Sequence, residues 1–116
     1  MEELIPGKRL TVHVGEDTRL GGKPIYLAVM EIIKDCGIVG ATAVRGIESV
    51  LYTDQTLHNI NTEYLMTDLP IMVEAIDEVE KIDRAIERII QLEDVSLVEA
   101  LSVNFLIKRS GGEKDD

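Results

Sequence analysis

The side chains able to do chemistry are few. Glu16 and Asp17 are adjacent carboxylates that follow an alternating segment. Such a pair can bind a hard cation or exchange protons; the plainer alternative is that it caps or solvates a turn. Arg45 ends an apolar run and precedes Gly46. Its planar fork suits a phosphate or carboxylate, the alternative being an ion pair with Glu48 or Glu74. Lys23 stands just before Pro24, at an expected helix start that favours negative charge. It is either an anion contact or a solvated charge. His13 falls in the alternating segment and reads as packed and hydrogen-bonded. His58 has no companion at a metal-ligating spacing, so no metal site is assigned. Cys36 lies on an apolar helix face and reads as a small hydrophobe. No nucleophile elbow, phosphate-binding loop or dinucleotide fingerprint occurs, and no catalytic residue is assigned.

Regular elements must position these groups. Leu10, Val12 and Val14 alternate with Arg9, Thr11 and His13, which predicts a strand over 8–15. Residues 16–23 read as a loop. Ile25, Ala28, Val29, Ile32 and Cys36 recur at helical spacing between Pro24 and Gly37, so a helix is expected over 24–36 with Gly37 as a left-handed cap. Residues 38–46 form a second strand of small and branched residues, and 69–76 a third that opens on Pro70. Asp77 and Glu80 resemble a capping box for a helix over 78–91, with Glu80 and Arg84 one turn apart. A final strand covers 95–107. Residues 1–7 read as a flexible arm, 8–109 as one domain and 110–116 as a disordered tail. The connection over 47–67 has no clean period and is long for a compact domain, which marks it as functional or mobile.

Composition narrows the classes. The chain has 116 residues, 45% of them hydrophobic, enough for one globular core. With 22 acidic and 12 basic residues the net charge is −10, and Trp is absent. Nucleic acid is excluded as a partner, because phosphate backbones need clustered Lys and Arg. No apolar run reaches the length of a membrane-spanning helix, and the acidic N-terminus is no secretory signal. A single cysteine fits a reducing cytoplasm.

The element order βαββαβ is the split βαβ, or ferredoxin-like, α+β arrangement. Right-handed crossovers put both helices on one face of the sheet and leave the other bare. Yet the last strand is apolar on both sides: Leu97, Leu101, Val103, Phe105 and Ile107 on one, Val98, Ala100 and Leu106 on the other. The third strand places Ile71, Val73 and Ala75 opposite Met72 and Ile76. A second apolar face needs a cover, which points to homo-oligomers formed through it. The alternative is a twisted strand with an accidental pattern.

Four spaced motifs carry a family resemblance: Gly15-Glu16-Asp17, Gly22-Lys23-Pro24-x-Tyr26, Gly40-Ala41-Thr42-x-x-Arg45-Gly46, and Asp68-Leu69-Pro70. Together they resemble PII-like signalling proteins, and most closely the PII-like "domain of unknown function" family one-ninety, over about residues 8–104. The resemblance implies a homotrimer built on the open sheet faces, with a T-loop at 47–67. It implies a regulatory protein that senses a small molecule, an adenine nucleotide among the candidates, in clefts between subunits. Arg45, Gly46, Glu48, Glu16, Asp17, Lys23 and Thr42 are the ligand-binding candidates, and a protein or membrane transporter is the expected target of the loop. Two departures stand out. Arg45-Gly46 leads into Ile47-Glu48-Ser49 where the family has Gly-Phe-Gly, and the acidic turn Leu92-Glu93-Asp94 replaces the phosphate-holding loop of PII proteins. Two other readings share the architecture: a divalent-metal-binding trimer resembling CutA, using Glu16, Asp17 or His58, and an enzyme with an intersubunit site, using Glu16 or Asp17 with Arg45.

Overall fold

Alternation along the first strand fixes the sheet. In the computed structural model, which describes residues 3–46 and 69–108, strand β1 runs Ile5–Gly15. It is antiparallel both to β5 (Pro70–Asp77) and to β6 (Leu97–Phe105), and β5 pairs in turn with β4 (Ala41–Arg45). The sheet order β4-β5-β1-β6 is the ferredoxin-like one. Helices α1 (Ile25–Asp35) and α2 (Val79–Ile89) make the crossovers.

The core is the helix-side face of the two central strands. Leu10, Val12 and Val14 of β1 and Ile71, Val73 and Ala75 of β5 are buried under Ile25, Val29, Ile32 and Ile33 of α1 and Ile82, Ala85 and Ile89 of α2. Each large aliphatic side chain buried there contributes about 1.5–3 kcal/mol. Cys36 caps α1 and packs at the margin of this cluster, as its position on the apolar helix face implied.

Several boundaries differ from the sequence reading. The strand starts at Ile5, inside the expected 1–7 arm, because Ile5 to Gly7 pair with Phe105 to Val103. Gly7 allows this close approach: a Cβ there would clash with the Phe105 ring and stand 2.5 Å from the Asp77 carbonyl oxygen. The 16–23 loop contains a small hairpin, β2 (Arg19–Leu20) with β3 (Lys23–Pro24). Its turn, Gly21-Gly22, has positive φ at both residues, which glycine adopts without strain and which matches the twist of a two-residue hairpin. The Asp77-x-x-Glu80 capping box does not form. Asp77 ends β5 and Glu78 is the N-cap without a side-chain bond. Nor do Glu80 and Arg84 pair among the ion pairs of the described residues; Lys8–Asp83 and Arg88–Asp35 tie α2 to its neighbours instead. The expected 47–67 loop and 110–116 tail lie outside the described residues.

Among the described residues, the opposite face carries no helix. Register places Thr42 and Val44, Met72, Glu74 and Ile76, Arg9, Thr11 and His13, and Leu97, Glu99 and Leu101 on it. Leu97 and Leu101 are 46% and 51% exposed, so the two-sided apolar pattern of β6 leaves large side chains in water within one chain. His13 lies on this face with Nε2 3.8 Å from Glu99, and is not enclosed.

Candidate functional site

Three strand ends converge where the chain leaves β4. The Gly46 N–H donates to the Pro70 carbonyl at 2.8 Å, and the Glu16 N–H donates to the Leu69 carbonyl at 2.7 Å. Across these backbone bonds Arg45 Nη2 meets Glu16 Oε2 at 2.6 Å. Register explains the partner. Arg45 lies opposite Ile71, and Ile71 opposite Val14, so Arg45 shares the helix-side face with the end of β1. Glu74 lies opposite Thr42 on the other face and is out of reach as a partner for Arg45. Glu48, the other partner considered, lies outside the described residues.

The remaining candidates are distributed. Lys23 Nζ binds Glu31 Oε1 at 2.8 Å, so its charge is matched by the second turn of α1 and not left for an anion at the helix start. Asp17 is exposed in a tight turn closed by the Thr18 N–H on the Gly15 carbonyl at 3.3 Å. No group of three or more metal-ligating side chains occurs among the described residues, and His58 lies outside them.

Thr42 belongs to a separate place. With Glu74, Ile76 and Ile107 it lines an open-sided cleft of about 290 Å³ at the β4 edge of the bare sheet face. Its far wall is Val39-Gly40-Ala41, and the same three residues border a second, more apolar groove of about 370 Å³ on the helix side, against Leu27 and Met30. This shared wall is fastened by Asp77. That side chain is 3% exposed, and its two oxygens accept the N–H groups of Val39 at 3.0 Å and of Glu78 at 2.7 Å. Lys81 Nζ stands 3.9 Å away.

The structure therefore brings Arg45, Gly46 and Glu16 together at one end of the sheet and sets Thr42 apart with Glu74. The two places are three residues apart along β4, about 10 Å, but their side chains leave opposite faces. The sequence reading missed Glu74 as a cleft residue, Ile107 as its cover, and Asp77 as the fastener of its wall. Glu74 becomes a neighbour of Thr42 only through the pairing of β4 with β5, which counting along either strand does not give.

The cleft can do specific chemistry. An ionised Glu74 only accepts hydrogen bonds, whereas the Thr42 hydroxyl donates or accepts. Ile76, Ile107 and Val39 offer apolar area. A flat heterocycle with an exocyclic amine next to a ring acceptor satisfies all three. Among the described residues, none that lines this cleft is cationic.

Comparison with known proteins agrees with this fold. The DUF190 family, described as an uncharacterized ACR, matches residues 7–104. A UPF0166 protein of Aquifex aeolicus is 35% identical over 102 residues, covering 82% of this chain and 96% of the relative. Another, from Methanocaldococcus jannaschii, is 28% identical over 89 residues, with 77% and 81% coverage. Among solved structures, CPII of Thiomonas intermedia bound to ADP, AMP and acetate superposes with a TM-score of 0.60 at 15% identity, covering 93% of this chain and 94% of that one. A PII-like signaling protein of Thermus thermophilus gives 0.57 at 19% identity, with 97% and 98% coverage. Among the described residues, no helix is long and apolar enough to cross a membrane. By its sequence the chain belongs to the DUF190 family, and its fold is PII-like.

Proposed function

We propose that this chain is a cytoplasmic regulatory protein that acts by binding and not by catalysis. It assembles as a homotrimer on its bare sheet faces and holds an adenine nucleotide at the Thr42–Glu74 cleft. The observation that carries this reading is the position of the cleft. It opens on the sheet face away from the helices, beside exposed apolar residues that need a cover.

Three points support it. Glu74 and Thr42 suit the amine and ring-nitrogen edge of adenine, and the PII-like CPII structure was obtained with ADP and AMP. The described cleft residues include a carboxylate and no cation, which suits the base and not the phosphates, so on this reading the phosphates lie outside the cleft, toward a neighbouring subunit. The strand that begins at the cleft ends at Arg45-Gly46, where the 47–67 connection departs, so a ligand at one end of β4 bears on the loop at the other. That loop then meets a protein or membrane-transporter target.

Calorimetric titration with ADP and AMP, paired with amide exchange of the same samples, tests this. We expect saturable binding and new protection over β4 and the loop base. Absence of binding by either nucleotide contradicts the reading.

A further inference from the structure

Alternation along β1 sends Arg9, Thr11 and His13 to the bare sheet face, and register sets their neighbours. Thr11 lies opposite Glu74 of β5 on one side and Glu99 of β6 on the other, and Glu74 lies opposite Thr42. One polar row therefore crosses the whole sheet. The rows beside it are mostly apolar: Val44, Met72 and Leu97 accompany His13, and Ile76 and Leu101 accompany Arg9. The charged and titratable side chains that the strands put on this face are thus Arg9, His13, Glu74 and Glu99. Strand β4 adds none, since Arg45 leaves the helix side.

With His13 neutral, this set holds Arg9 against two carboxylates; with the ring protonated, the signs balance. Within one chain the difference matters little. His13 Nε2 stands 3.8 Å from Glu99 Oε1, beyond hydrogen-bond range, and the two side chains are 30% and 52% exposed, so water screens their attraction. Closing copies over the face removes that water. An excess carboxylate then loses hydration without a partner, whereas a matched pair recovers part of the loss. Cations on the central strand, flanked by carboxylates on its neighbours, also make a face whose charges a second copy can meet. A histidine changes charge between about pH 5 and 8. We propose that His13 makes assembly through the bare face pH-dependent, each copy taking up a proton at this ring as the faces close. Association accordingly tightens as pH falls through that range. This rests on the assembly reading given above.

Sedimentation equilibrium of the full chain at pH 8 and pH 6, at fixed ionic strength, tests this. Urea below the unfolding range is added where dilution alone leaves no single chains. The unsubstituted chain should associate about tenfold or more tightly at pH 6. His13→Gln should associate equally at both, while His58→Gln, which removes the other histidine, keeps the parent's response. Glu99→Gln relieves the excess charge, so its association at pH 8 should be tighter than the parent's and its gain toward pH 6 lost. Equal association of the parent at both pH values, or an unchanged response in His13→Gln, overturns the inference and leaves the assembly reading intact. Loss of the response in His58→Gln, or a looser Glu99→Gln assembly at pH 8, overturns it as well. A single-chain parent at both pH values contradicts the assembly reading, and this inference with it.

Discussion

Arg45 ends β4 and Glu16 follows β1, strands that never pair, yet the two side chains meet at 2.6 Å across the end of the strand between them. The pair closes the base from which the 47–67 connection departs. Arg45 is 63% exposed and Glu16 29%, so solvent screens their attraction. Glu16→Gln or Arg45→Gln should cost no more than about 1 kcal/mol of global stability. The loop base should respond more: amide exchange at Gly46 should quicken in both variants, and the charge swap Glu16→Arg with Arg45→Glu should restore it. Unchanged exchange in the single variants would show that the backbone bonds alone hold the base.

Asp77 is a different kind of charge. It is buried, and both oxygens serve backbone N–H groups on separate segments. Asp77→Ala leaves the Glu78 and Val39 donors without that acceptor, a loss of about 1–3 kcal/mol for a buried group. The urea midpoint reports it. Site-resolved exchange should show Val39 losing protection while Val12 and Val73 keep theirs in proportion to global stability.

Gly7 tests the start of the sheet. Gly7→Ala places a methyl against the Phe105 ring and 2.5 Å from the Asp77 carbonyl oxygen. Overpacking of this kind costs about 1–3 kcal/mol. Removing the ring with Phe105→Ala should not rescue it, because the carbonyl is main chain and stays. Full rescue by the double variant would place the conflict in the ring alone.

Much of the fold is legible in spacing, because its core follows strict periods. Leu10, Val12 and Val14 announce a strand, and Ile25 to Cys36 a helix, without help from distant residues. Legibility fails where long-range register decides. Nothing local to Asp77 says that its carboxylate turns back to Val39, 38 positions earlier. Arg45 pairs with Glu16 and not Glu74 because of which face each leaves, which depends on how β4 meets β5 and β5 meets β1. Lys23 stands at the positive end of α1, which favours an anion and offers a lysine no partner; the carboxylate it meets is Glu31, in the second turn of that helix. Two glycines signal the turn at Gly21-Gly22, but flanking strands of two residues are too short to show a period.

The central claim is that the bare sheet face is an interface between copies. Sedimentation equilibrium of the full chain at micromolar concentration tests it most directly. The account predicts a particle of three times the 12.9 kDa chain mass, and predicts that Leu101→Glu, a charge set on the exposed apolar face, drives it toward single chains that remain folded. A stable, well-behaved single-chain species for the unsubstituted protein would contradict the account.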